Sequence, residues 1–343
     1  MRIHHFWIPK DGNSEAEYED ACANNPQAGR FALADGATES SFAKEWAKIL
    51  TKGFADEEDW GQFFQQPRSW WEWRSQMPKY WSQWLEAMRR RWQEHLQQRQ
   101  SERGGTWPWF VENRIREGAL ATFCGLVLLP DIAKPEQSCR QCKESDRSAT
   151  RHYFCLAVGD ACLFQVRDDR LVFCFPVQKA VDFNNTPPLV CSQSRPPARP
   201  TAPLRWRVRR WNEGDIFLLM TDALARWFLS DYESGAQPWQ EIRRRLLEPN
   251  TFGSVNPGTV SDDPLVAVSD SDSAASSQEP PTGPTPHLAE NHVAQPLRHC
   301  QAATVTATES QERFRCWVAE LRHQSKLCND DVTLLVVESA RSR

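Results

Sequence analysis

An α/β protein built on antiparallel sheets is what this 343-residue sequence predicts, and three observations predict it. Short apolar runs recur at hairpin spacing: 153–158, 162–166 and 171–175 are separated by the turn pairs Gly159-Asp160 and Asp168-Asp169. Helical spacing occurs in a few segments between such runs, without the strict strand–helix alternation of a doubly wound parallel sheet. Neither GxGxxG nor a GxxxxGK loop followed by Ser or Thr is present, and HExxH and GxSxG are also missing.

The elements follow in order. Residues 30–34 are short and apolar, Asp35-Gly36 is a turn dipeptide, and helical spacing runs from Ala37 with Phe42, Trp46, Ile49 and Leu50 on one face. Thr38 or Ser40 is the expected cap, with Glu39 near the positive end of the dipole. Residues 56–110 change character, acidic at first and then dense in Trp and Arg, and read as a Trp-rich helical insertion. Within it, 79–100 forms a long amphipathic helix whose Trp81, Trp84, Leu85, Met88 and Trp92 make a packing face. A second helix over about 111–123 leads into a strand at 124–129, and 130–149 is a polar loop. After the meander, 184–204 is a Pro-rich connection, and 206–211 alternates with Arg before the turn Asn212-Glu213-Gly214. A buried strand at 215–220 ends in Thr221-Asp222, followed by helical spacing over 223–229. Residues 250–305 are dominated by Ser, Pro, Asp, Thr and Gly; such a stretch buries too little apolar surface to offset its ordering entropy, so a disordered or low-complexity insertion is expected. A helix at 312–323 and an apolar strand at 332–337 complete a chain that reads as one domain over 1–343.

Forty per cent of the residues are apolar, enough for a substantial core, and the formal charge of -4 points to neither nucleic acid nor a membrane surface as partner. No run approaches the length of a membrane span. The first residues, MRIHHFWIPKDG, carry no apolar stretch of the kind a secretory signal needs. Eleven cysteines is an odd number, and Cys124, Cys155 and Cys174 sit inside apolar runs, which suits a reducing, cytoplasmic compartment better than a disulfide framework. Cys139 and Cys142 form a lone CxxC without a second ligand pair, and His4-His5 point apart if they lie on a strand; neither reads as a metal site. The runs Arg89 to Arg91 and Arg243 to Arg245 read as solvated helix faces.

One pattern carries the chemistry. Acids stand at the ends of apolar strands: Glu19 and Asp20 ahead of the segment leading to Phe31, Asp35 after FALA, Asp222 after IFLLMT, and Asp330 before VTLLVV. An acid at a buried strand end is costly unless something positive compensates it. Each one singly is explained by a turn or a cap; together they can converge on cations. Carboxylates without a His or Cys set favour Mg²⁺ or Mn²⁺ over zinc. Two such ions can activate water and clamp a transferring phosphoryl group without a side-chain nucleophile.

The ordered set EDA (19–21), FALADGATESSF (31–42), GALATF (118–123), LAVGDACLF (156–164), GDIFLLMTDAL (214–224) and NDDVTLLVV (329–337) resembles the metal-dependent protein phosphatases of the 2C type, in bacterial form. The resemblance implies a four-layer αββα sandwich with two central antiparallel sheets and a site at one end between them. It implies two ions, Asp35 bridging both, the Gly36 carbonyl completing one shell, and Asp222 and Asp330 holding the other ion. Asp20 matches the family's N-terminal acid, and Glu19 acts through water. The implied reaction is hydrolysis of phosphoserine and phosphothreonine on proteins by a bridging hydroxide, with a phosphorylated protein substrate and a cognate Ser/Thr kinase as partners.

Three positions depart from the family pattern. Glu15 stands where the family carries a phosphate-binding Arg, leaving Lys10 as the nearest cation. The family's Asp-Gly is Asp222-Ala223. Asp160 matches a third-metal ligand, but its usual companion acid is Arg226, so a two-metal centre is expected; Asp160 also reads simply as a turn residue. The competing readings are a pseudophosphatase that serves as a binding scaffold, and a phosphatase of a small phosphorylated metabolite.

Overall fold

The computed structural model describes residues 1–38, 40–65, 70–129, 151–194, 203–248 and 307–339. The 130–149 loop with its CxxC, the whole of 250–305 and part of the Pro-rich connection lie outside the described residues.

Parity along the strands builds the layers. In β3 (Arg30–Ala34), Phe31 and Leu33 belong to one apolar cluster and Ala32 and Ala34 to another. The same odd–even split runs through β5 (Phe123–Leu128) and β6 (Arg151–Val158), and through β7 (Cys162–Arg167), β11 (Ile216–Met220) and β12 (Val332–Glu338). Successive side chains on a strand point to opposite faces, so a continuous apolar run means burial on both. The shared cluster lies between two sheets: Phe31, Leu126 and Tyr153 come from one, and Leu163, Phe217 and Leu335 from the other.

Sheet A has the order β1-β12-β11-β7-β8, with β1 at Arg2–Ile8 and β8 at Arg170–Phe175. Sheet B has the order β10-β6-β5-β3-β2, with β2 at Ala21–Asn25 and β10 at Arg205–Trp211. Every pairing within them is antiparallel. A small third sheet pairs β4 (Leu120–Ala121) with β9 (Val190–Cys191).

On the outer face of sheet B lie α1 (Ala43–Asp56), α2 (Glu58–Gln65) and α3 (Trp70–Glu102). Buried Trp46, Ala47, Leu50 and Phe54 form the inner face of α1 at helical spacing, against Trp81, Trp84, Leu85, Met88 and Trp92 of α3. Trp46 and Trp92 meet edge to face with centroids 6.0 Å apart. The indole N–H of Trp46 donates to Val190 O at 2.9 Å, so this large side chain is buried with its polar atom satisfied. Gly53 permits the close approach of α3, since a Cβ there would lie 2.2 Å from Met88 Sδ. Outside sheet A are α5 (Asp222–Glu233), α6 (Pro238–Ile242) and α7 (Ala307–His323). The expected αββα order is therefore the one observed, within the unit formed by Met1–Leu247 and Ala307–Arg343.

Some local expectations are corrected. Helix α1 begins at Ala43 rather than near Ala37, and Phe42, at φ 65, precedes it with no side-chain cap from Thr38 or Ser40. The intervening residues are held by pairing instead, with Gly36 bridging Ala121 and Ala37 N–H donating to Leu120 O. The helix expected over 111–123 is α4 (Trp109–Glu117); Gly118, at φ 87, ends it and redirects the chain into β4. Helix α3 extends well beyond 79–100 at its start, past an internal Pro78. Arg89 is buried, donating to Cys191 O and Glu86, and is not part of a solvated face. Arg243 to Arg245 lie in a π-helical turn (Arg243–Leu247), not in a regular helix.

Candidate active site

Antiparallel register gathers the strand-end acids. Met220 at the end of β11 lies opposite Leu334 of β12 and Cys162 of β7. The residues just beyond that rung converge at one end of sheet A: Asp160 in the β6–β7 turn, Asp222 opening α5, and Asp330 ahead of β12. In sheet B, Ala21 faces Ala34, so Asp20 and Asp35 leave neighbouring strands side by side. Polar bonds tie the two ends together. Thr333 N–H donates to Thr221 Oγ1 (3.0 Å), and Thr221 N–H donates to Thr333 O (3.2 Å). The Thr333 hydroxyl donates across to Asp20 Oδ2 at 2.6 Å and is itself bonded to the Tyr18 hydroxyl.

Asp35 and Gly36 are held from the backbone. Asp35 N–H donates to Thr122 Oγ1 (3.2 Å), and Thr122 N–H donates to Asp35 O (2.8 Å). A Cβ on Gly36 would fall 2.8 Å from Glu19 O, so only glycine lets the two acidic segments approach this closely.

The electrostatics are those of crowded like charges. Burial pushes the Asp20 carboxyl well above its ordinary range, with Asp331, Asp222 and Asp330 adding to the shift. Asp35 is raised well above its ordinary value by burial and then by Asp20, Asp222, Asp330 and Asp160. Asp160 is pushed up to about 7 by burial and Asp222, and Asp222 to about 6 by burial and Asp330. Glu19, half-buried, is raised by burial against the opposing pull of Thr38 and Lys10. Asp20 Oδ1 and Asp160 Oδ1 are buried with no hydrogen-bond partner among the described residues. Carboxylates repelling one another around unpartnered oxygens make a donor set suited to a hard divalent cation. Among the described residues, no three acidic, His or Cys side chains are gathered tightly enough to hold an ion by themselves. Mg²⁺ keeps several waters and takes only one or two carboxylates, so this open arrangement fits such an ion and not an all-protein cage.

Lys10 reaches the same place: its ammonium lies 3.4 Å from Thr38 Oγ1. Glu15 is elsewhere, its exposed carboxylate paired with Arg315 at 2.7 Å. Arg226 is exposed, and its charge draws the Asp222 carboxyl downward.

The sequence reading missed a set of positioning residues. Asp331 accepts from Lys10 N–H (2.9 Å) and Glu19 N–H (2.7 Å), joining the start of the chain to β12. Arg322 on α7 donates to Asp330 O (2.6 Å), Pro9 O (3.2 Å) and Asp11 Oδ1 (2.6 Å). Asp331 and Thr333 continue the inward parity of Leu335 and Val337, and polar residues at inward positions of an apolar run are a signal the sequence does carry.

No protein family model matches the chain, and no curated protein matches it. Among solved structures it is similar to the catalytic domain of the serine/threonine protein phosphatase PstP in complex with two manganese ions, at 14% identity and TM-score 0.46, covering 99% of this chain and 98% of that one. The Mycobacterium tuberculosis phosphatase PstP/Ppp is matched at 12% identity and TM-score 0.47, over 99% of both chains. Stp1 from Staphylococcus aureus is matched at 12% and 0.47, over 100% of this chain and 96% of that one. All three are serine/threonine phosphatases.

Proposed function

We propose that this protein hydrolyses phosphoserine and phosphothreonine esters on proteins with the help of two Mg²⁺ or Mn²⁺ ions. The observation that carries the reading is the convergence of Asp20, Asp35, Asp160, Asp222 and Asp330 from both sheets, with two buried carboxylate oxygens unpartnered. Asp35 feels Asp20, Asp222, Asp330 and Asp160 together, which suits a ligand shared between two ions. Asp222 and Asp330 would hold one ion, and Asp20 with the Gly36 carbonyl would complete the surroundings of the other. When bound, the ions supply activation of water and neutralisation of charge on the transferring phosphoryl group. Glu19 shapes the surrounding hydrogen bonds, and Asp160 is left for a weak outer site. Lys10, fixed through its own N–H by Asp331, presents a point charge to the phosphate oxygens. Thr333 and Tyr18 orient Asp20 so that Oδ1 is the oxygen left free.

A phosphorylated protein as substrate implies a Ser/Thr kinase as its source. The eight described cysteines are all free, in keeping with a reducing, cytoplasmic setting. No described helix is long and apolar enough to cross a membrane.

Turnover of para-nitrophenyl phosphate and of a phosphothreonine peptide, measured with EDTA, Mg²⁺ and Mn²⁺, tests the proposal. The expected result is metal-dependent hydrolysis of both, reduced by about a hundred- to a thousandfold in Asp35→Asn with the fold intact, as for loss of a central electrostatic group. Turnover that persists in EDTA or in folded Asp35→Asn would refute it.

A further inference from the structure

A cavity of about 880 Å³ lies between α5 and the end of α7, and its lining includes Ala223 and Asn329, the chain neighbours of Asp222 and Asp330. Its wall on α5 is formed by Ala223, Arg226, Trp227 and Ser230, at the spacing of one helix face that begins directly after Asp222. The opposite wall is the segment from Arg322 to Asn329, which ends beside Asp330.

The charge in this cavity is uneven. Arg322 is already committed to Asp11, at 2.6 Å. Arg226 and Lys326 are exposed, and neither has an acidic partner within ion-pair distance among the described residues. Arg226 makes one side-chain contact, Nη1 to Cys328 Sγ at 3.8 Å. The remaining lining acid is Asp231, nine residues along α5 from Asp222, which places it roughly 13 Å away along the helix. Arg226 is four residues along, a rise of about 6 Å. Along α5, Arg226 therefore stands closer to Asp222 than Asp231 does. Two cations without an ion-pair partner, beside the proposed phosphate-ester site, are suited to a second negative group on the same substrate.

We propose that this cavity is a specificity site for the carboxylate of an acidic residue two positions from the phosphorylated serine or threonine. An extended peptide advances about 3.3–3.6 Å per residue, so two positions span the rise from Asp222 to Arg226. Arg226 and Lys326 hold the carboxylate, and Trp227 and Leu327 line the cavity where the aliphatic part of the side chain rests. The substitution of Arg for an acid at 226 thereby acquires a role in substrate choice. The proposal rests on the phosphatase reading given above.

The test uses the full chain with Mn²⁺ and phosphothreonine peptides that differ at one residue, two positions before or after the phosphothreonine: Asp, Ser or Lys. The readout is the ratio of kcat/KM for Asp over Lys peptides within each protein, so a general change in turnover cancels. We expect a ratio of at least tenfold on one side, carried by KM, falling below about twofold in Arg226→Gln/Lys326→Gln. Equal ratios in the parent protein, or a preference that survives in the double variant, would overturn the proposal. If neither the peptides nor para-nitrophenyl phosphate is hydrolysed, the phosphatase reading fails separately. Calorimetric binding of the same intact peptides then decides the site: tighter binding of the Asp peptide, lost in the double variant, supports it, and no difference overturns it.

Discussion

Asp160 is 6% exposed, has an unpartnered Oδ1, and carries a carboxyl pushed up to about 7 from 3.8 by burial and Asp222. A carboxyl whose folded pKa is raised contributes stability below its unfolded pKa and loses it as pH rises through the folded value. In metal-free protein that window runs from about pH 4 to about 7. The shift of roughly three units corresponds to a ceiling of about 4 kcal/mol, at about 1.4 kcal/mol per unit. Asp160→Asn is therefore expected to stabilise the EDTA-treated protein at pH 8 by a few kcal/mol, and to change it little at pH 4. Urea unfolding at the two pH values checks this, and a variant that tracks the parent at both would count against the cause given. At this scale the strand-end acids were legible because each interrupts an apolar run. The roles of Asp331 and Arg322 were not: inward parity marks Asp331 as buried, but both hold backbone atoms more than 300 residues away or across a loop, and spacing does not say which.

The elements most readable in the sequence are those buried on two faces. β5, β6, β7, β11 and β12 read as near-continuous apolar runs because sheets and helices cover both sides. The edge strands β1 and β2 escaped notice, since of the seven residues of β1 only Phe6 is buried and β2 buries only Ala21. Helix α3 was legible through its Trp stripe, which fills the space over sheet B with edge-to-face contacts among Trp46, Phe42, Trp92 and Trp107. Trp92 is fully buried in that group. Trp92→Ala is expected to cost about 3–5 kcal/mol by denaturant unfolding, as for other large-to-small core changes. A loss below about 1 kcal/mol would mean that α3 contributes little to holding α1 in place.

At the scale of the molecule, the candidate ion ligands come from both sheets: Asp20 and Asp35 from sheet B, Asp222 and Asp330 from sheet A, and Asp160 from the turn that crosses between them. An ion held between them favours only the state in which both sheets are folded and aligned. Free ion at a hundred times its dissociation constant then adds about 2.7 kcal/mol. Calorimetric scans at pH 7.5 should show a Tm several degrees higher in excess Mg²⁺ or Mn²⁺ than in EDTA, with the rise much reduced in Asp35→Asn. Equal gains in the parent and the variant would place the ion's effect elsewhere.

The order of strands in sheet A has a consequence for synthesis. β12 lies between β1 and β11, so the second place in the sheet is taken by a strand some 330 residues downstream of the first. While the chain is being translated, β1 and β11 can form but cannot meet, and each waits with an open edge of backbone donors and acceptors. Asp330 and Asp331 arrive only with that strand, and Asp331 is what anchors Lys10 and Glu19. A nascent chain that lacks β12 therefore carries most of the candidate acids but not their arrangement, and the proposed centre forms in one step, when the gap in the sheet is filled.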